Sequence, residues 1–165
     1  MIKDVKITIA KEEELLEILE IKKEVHKNFV KQRPDIYKES DILYTNDFIN
    51  SFFANASKLI LLAKKDGCTL GYVFIQLVNI QLPMMTERTY IYINDLAVLE
   101  KYRNNGIASL LLKHIEKMAQ EMGAAKIELA VHVFSSNAIQ LYKKNGYTSR
   151  TIRMEKELEE VEGIH

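Results

Sequence analysis

Asn94-Asp-Leu-Ala-Val-Leu-Glu-Lys-Tyr-Arg-Asn-Asn-Gly-Ile-Ala-Ser-Leu-Leu-Leu112 reads as the end of a strand, a polar turn and the opening of an apolar helix. A helix that starts directly after such a turn offers N–H groups with no intrahelical acceptor, and its macrodipole puts partial positive charge there. Gly106 lets a bulky group approach the backbone, and Ala108 keeps the next turn small. Arg103 adds a forked, permanently charged donor. A phosphate or diphosphate suits such a cradle. Two familiar phosphate loops are excluded. No Gly-Lys-Ser/Thr follows Gly106, and no Gly-x-Gly-x-x-Gly occurs. Taken alone, Arg103-x-x-Gly106-x-Ala108 can also be an ordinary helix start.

Outside this stretch, composition narrows the class. The 165 residues are 47% hydrophobic and 28% charged, which suits one globular domain with its own core. Lys plus Arg and Asp plus Glu number 23 each, so bulk charge argues for neither nucleic acid nor a membrane surface as partner. Cys68 is the single cysteine, which excludes an internal disulfide and fits a cytoplasmic protein. No apolar run reaches spanning length and no signal peptide is recognisable. The expected domain covers residues 1–156, followed by an acidic tail over 157–165.

Periodicity supplies the order of elements. Val5, Ile7 and Ile9 alternate with polar residues as in a half-buried strand. Residues 11–29 and 41–54 carry helical apolar stripes, with Pro34 breaking the pattern between them. Residues 59–63 and 70–78 form a hairpin around Lys64-Lys65-Asp66-Gly67, and 89–98 complete a meander. Helix 107–122 turns Leu110, Leu111, Ile115, Met118 and Ala119 inward and stops at Gly123. A strand over 126–134 with Ile127, Leu129, Val131 and Val133 on one face, a helix over 137–144 capped by Ser135 or Ser136, and a strand over 147–156 complete the chain. The order is βααβββαβαβ.

Asp95-Leu-Ala-Val98, Tyr102-Arg103-Asn-Asn-Gly106-Ile-Ala108 and Leu110-Leu-Leu112, followed by Ala138-Ile-Gln-Leu-Tyr142-Lys-Lys-Asn-Gly146-Tyr147, resemble the two motifs of the GNAT superfamily of acetyl-CoA-dependent N-acetyltransferases, in the right order. The likeness is tight from Ile91 to Tyr147 and looser before it. It implies an α/β (α+β) single-domain fold with a mixed, mainly antiparallel sheet and helices on both faces. It implies transfer of acetyl from acetyl-CoA to a primary amine by direct attack, with no covalent enzyme intermediate and no metal. The acceptor is a small-molecule or peptide amine. A homodimer stays open, since relatives often dimerise through differing interfaces.

The resemblance also distributes roles. Leu96, Ala97 and Val98 would pair with the pantetheine arm as an extra strand, and Arg103, Asn104, Asn105, Gly106, Ile107, Ala108 and Ser109 would hold the diphosphate. Tyr142, one helical turn beyond Ala138, would protonate the leaving sulfur; read without the family it is a core aromatic. His26, Arg33, Asp35, Tyr37 and Tyr44 are candidates for the acceptor pocket, with Asn94 and His132 beside them. Two departures stand out. Asn94 occupies the place where many relatives carry a Glu base; Asn can orient a water but cannot take a proton. Asp95 is then a base, a structural acceptor or neither, and His132 is a further base candidate. Ser135 stands where relatives have an Asn for pantetheine, and Asn137 comes two places later; either could serve. The alternative is a catalytically weak acyl-CoA-binding module, or an α/β domain whose motif residues are structural.

Overall fold

A computed structural model of the chain describes residues 2–158. Strand β1 (Lys6–Ile9) leads through a single 3-10 turn (Glu12–Glu14) into helix α1 (Leu15–Gln32), followed by α2 (Asn46–Ala54). Strands β2 (Lys58–Lys65), β3 (Cys68–Ile80) and β4 (Arg88–Val98) form the meander. Helix α3 (Ile107–Glu121), strand β5 (Lys126–Leu129) and helix α4 (Ser136–Lys144) complete the order. The sheet runs β1-β2-β3-β4-β5, antiparallel except for the parallel β4–β5 pair. This is the expected mixed, mainly antiparallel sheet with helices on both faces.

Strand alternation sorts the core into two layers. Leu61, Ala63, Val73, Ile75, Ile91 and Ile93 pack beneath α3 with Ile107, Leu111, Leu112 and Ile115. Ile60, Leu62, Tyr72 and Phe74 point to the other face, against Ile18 and Ile21 of α1 and Ile49 and Phe52 of α2. At Gly71 the strands come so close that a Cβ would lie 2.8 Å from the Ala97 carbonyl oxygen. The residue there must therefore be glycine.

Several elements differ from their sequence-based expectations. Helix α2 starts at Asn46 rather than residue 41. The Ser40 hydroxyl bonds the Ile42 backbone in a local turn, and Thr45 Oγ1 caps the helix by accepting from the Phe48 N–H at 3.2 Å. Strand β5 ends at Leu129 because β4, its partner, leaves the ladder after Ile93. Val133 is accordingly exposed and not on a buried face. Leu110 is also partly exposed, since the buried stripe of α3 runs through Ile107, Leu111, Leu112, Ile115 and Ala119.

The last strand does not form among the described residues. Residues 147–158 pair with no strand, and Ile152 and Met154 are more than four-fifths exposed. Side chains hold this segment instead: Arg150 meets Glu128 of β5, and Glu155 meets Arg33 at the end of α1 at 2.8 Å. The acidic tail over 157–165 lies, apart from Glu157 and Leu158, outside the described residues. No described helix is long and apolar enough to cross a membrane.

Candidate active site

The site begins with a fault in the sheet. Phe74 pairs with Asp95 and Ile75 with Ile93, so Asn94 is the extra, unpaired residue of a β-bulge. The bulge reverses the parity of β4. Before it, odd-numbered Ile91 and Ile93 face α3; after it, even-numbered Leu96 and Val98 do, while Ala97 joins the core against α1 and α2. Parallel pairing with β5 stops at the same point, the last pair being Ile93 and Leu129. Residues 95–98 therefore pair with β3 on one side and, on the other, where β5 has ended, pair with no strand. Asn94 is exposed at the fork.

Helix α3 opens beside the end of that edge. Its N-cap is Gly106 at φ +83°, which brings no side chain to satisfy the first N–H groups, and Asn104 at φ +60° curls the loop before it. The loop's polar side chains brace it from within. Arg103 Nε donates to the Val98 carbonyl at 3.0 Å, with Nη2 3.5 Å from Glu24 of α1. Asn105 Nδ2 donates to the Arg103 carbonyl at 2.9 Å. The Arg103 and Asn105 side chains thus shape the turn from inside.

Helix α4 is fastened to this junction. Asn145 Nδ2 donates to Ser109 Oγ at 3.1 Å and to the Leu141 carbonyl at 2.8 Å. Tyr142, in the preceding turn, packs against the α3-side core and against the Tyr147 ring. Its hydroxyl has no hydrogen-bond partner among the described residues. Burial, and next the negative charge of Asp95, push its pKa up to about 12, so it remains a phenol through the neutral range. Ser135 takes the N-cap position of α4, but its hydroxyl makes no cap bond; Asn137 is exposed.

Asp95 is deeply engaged on the opposite face. Its Oδ2 accepts from Lys22 Nζ of α1 at 2.8 Å and from the Tyr44 hydroxyl. The Tyr72 hydroxyl lies 3.2 Å from the same oxygen and 3.0 Å from that of Tyr44. Burial above all, with the Asp95 charge added, drives the pKa of both phenols upward. Lys22 and Tyr72 are the residues that sequence reasoning missed. The signal for Lys22 was present: it stands among Ile18, Ile21 and Val25 on the inward stripe of α1, where a lysine needs a partner.

The acceptor-side candidates separate into two kinds. Tyr37 and His132, 95 positions apart, meet with Oη and Nε2 2.7 Å apart. They sit within an aromatic group completed by Phe29 and Phe134, with ring centroids between 4.9 and 5.7 Å apart. Phe29 appeared in the sequence only as part of a helix stripe, and Phe134 carried no signal. His26 has a tying role: its Nε2 donates to the Lys38 carbonyl at 2.8 Å, closing the loop after α1. Arg33 forms ion pairs with Asp35 and Glu155, whose hydrogen bonds raise its pKa and lower that of Asp35.

Comparison with known proteins agrees with this geometry. A sequence profile of the Acetyltransferase (GNAT) family matches residues 17–147, which include both motifs and the forked sheet. The chain belongs to that family. It is similar to the uncharacterized N-acetyltransferase YdgE of Bacillus subtilis, 41% identical over 69 residues, or 41% of this chain and 43% of that one. It is also similar to an N-alpha-acetyltransferase of Sulfurisphaera tokodaii, 36% identical over 91 residues, 52% of this chain and 53% of the relative. The chain thus spans about half the length of the curated relatives it matches. In three dimensions it resembles the crystal structure of a mutant BH1408 protein from Bacillus halodurans, with a TM-score of 0.88 and 26% identity over 93% of this chain and 99% of that one.

Proposed function

We propose that this protein transfers the acetyl group of acetyl-CoA to a primary amine by direct attack. The observation that carries the reading is the fork at Ile93: an unpaired β4 edge over 94–98 runs toward a glycine-capped helix start, with the unbonded hydroxyl of Tyr142 on the adjoining helix. The residues suit acetyl-CoA. Outward-facing backbone groups of Leu96 and Val98 would bond the pantetheine arm as a strand does, while Ala97 between them turns its own toward β3, and the amides from Asn104 to Ser109 would take the diphosphate. Ser135, whose hydroxyl makes no cap bond, and the exposed Asn137 would serve the arm's remaining amide. When bound, acetyl-CoA supplies an acetyl group already activated as a thioester.

The chain's own part is positioning and proton transfer. Tyr142, held as a phenol, would give its proton to the departing sulfur. The acceptor amine has an ordinary pKa of about 10.4 and must lose a proton before it attacks. Asn94, exposed at the fork, would orient a water for that purpose, and the Tyr37–His132 pair would serve as the base system on the acceptor side. Asp95, a candidate base by its place in the motif, has the oxygen that accepts bonds already engaged by Lys22 and Tyr44. The exposed, unpaired Cys68 fits a reducing cytoplasm.

That same engagement of Asp95, with Asn94 in place of a carboxylate, favours a second reading: an acyl-CoA-binding module with slow chemistry. Release of free thiol from acetyl-CoA against a panel of diamines, amino-acid amines and peptide N-termini decides between them. Amine-dependent thiol release supports the enzyme. Saturable binding without release on any amine supports the module.

A further inference from the structure

We infer that Asp95 is a positioning residue whose clamp by Lys22, Tyr44 and Tyr72 holds the β4 bulge in register and thereby presents the 94–98 edge. Strand parity gives the reason. On an unbulged β4, Asp95 would continue the row of Ile91 and Ile93 and drive a carboxylate into the layer beneath α3, among Leu111, Leu112 and Ile115. Those side chains offer it no donor, and an unpaired buried charge is strongly disfavoured. With the bulge, Asp95 points instead to the α1 and α2 face. There Lys22 Nζ stands 2.8 Å away, and the Tyr44 and Tyr72 hydroxyls converge on the same oxygen. Both side chains of the ion pair are about four-fifths buried, at 21% and 17% exposure, so solvent screens the pair only partly.

The donors come from three separate places: Lys22 from α1, Tyr44 from the segment entering α2, and Tyr72 from the neighbouring strand β3. Tyr44 is itself wedged by rings, stacked on Phe48 at 5.3 Å, and Lys22 lies over its face. The carboxylate is therefore the point at which α1 and the segment entering α2 grip the strand whose far edge is the cofactor edge. A one-residue slip would swap which of the 94–98 amides face β3 and which face outward. The clamp makes the bulged register the one that satisfies Asp95.

The role in presenting the edge rests on the acetyl-transfer reading; the role in holding the register does not. Amide hydrogen exchange and amine-dependent thiol release are compared in the wild type and in Lys22→Met, Lys22→Arg, Tyr44→Phe and Asp95→Asn. In Lys22→Met and Asp95→Asn, exchange over 94–98 rises about tenfold while β1 and β2 are unchanged. Turnover falls by about tenfold with acceptor KM within about threefold, and Tyr44→Phe follows in the same direction. Lys22→Arg, which keeps the charge, restores both to near wild type. The inference is overturned if Asp95→Asn abolishes turnover while Lys22→Met leaves turnover and exchange untouched, since Asp95 would then act on the acceptor itself. It is equally overturned if exchange over 94–98 is the same in all variants. A wild type that releases no thiol sinks the functional reading alone, because the exchange comparison still decides the clamp.

Discussion

At the scale of single residues, Tyr142 and Gly106 have separable roles. Replacing Tyr142 by Phe keeps the ring against Tyr147 and the α3-side core and removes only the hydroxyl. Turnover is expected to fall by about a hundredfold, the lower end of general-acid effects because a thiolate is a fair leaving group, with cofactor affinity nearly intact. Steady-state kinetics and equilibrium binding of acetyl-CoA check both halves. The phenol also predicts a pH signature. Its pKa is raised to about 12 from an ordinary 10, so the protonated form is present below the ordinary value and is lost only as pH climbs through the raised one. The rate should therefore keep its acid through pH 10. A spectrophotometric titration should show one fewer late-titrating phenol in Tyr142→Phe than in the wild type. Gly106→Val acts on the cradle and not on the proton. A β-branched residue at φ +83° is strained whatever the surroundings, and acetyl-CoA binding should weaken by at least about tenfold.

Elements are joined by a few specific ties, and each can be cut. Helix α2 depends on Thr45, whose Oγ1 accepts from the Phe48 N–H. Thr45→Ala should cost about 1 kcal/mol, read as a lower urea midpoint with unchanged slope. The 3-10 turn before α1 is tied to β2 by the ion pair between Glu14 and Lys64. Bonding to Lys64 holds the Glu14 pKa below its ordinary 4.5, so this tie contributes above that value and is lost as pH falls through the lowered one. Glu14→Gln should therefore flatten part of the loss of stability below pH 4.5 and lower stability at neutral pH, both seen in urea midpoints across pH.

For the whole molecule, the two core layers and the fork are one construction: the sheet is continuous from β1 to Ile93 and splits only beyond it. A ligand laid along the free edge would fill the split and bond strands that otherwise stay apart. Acetyl-CoA at a hundred times its dissociation constant should then stabilise the fold by about 2.7 kcal/mol, visible as a concentration-dependent rise in melting temperature. An unchanged melting temperature over the same range would remove the cradle.

Local pattern sufficed wherever neighbours in sequence are neighbours in space. The meander, the span of α3, the turn at Gly106 and the pairing of Ala138 with Tyr142 on one helix face are all short-range, and the residues alone determined them. The limits of α2 and β5, the missing strand over 147–156, the meeting of Tyr37 with His132 and the face taken by Asp95 depend on partners distant in the chain. Only the folded sheet decided these, because the bulge at Asn94 reverses every later side chain of β4, and what makes that reversal favourable is a lysine on α1 and a tyrosine ahead of α2 that no window around Asp95 contains.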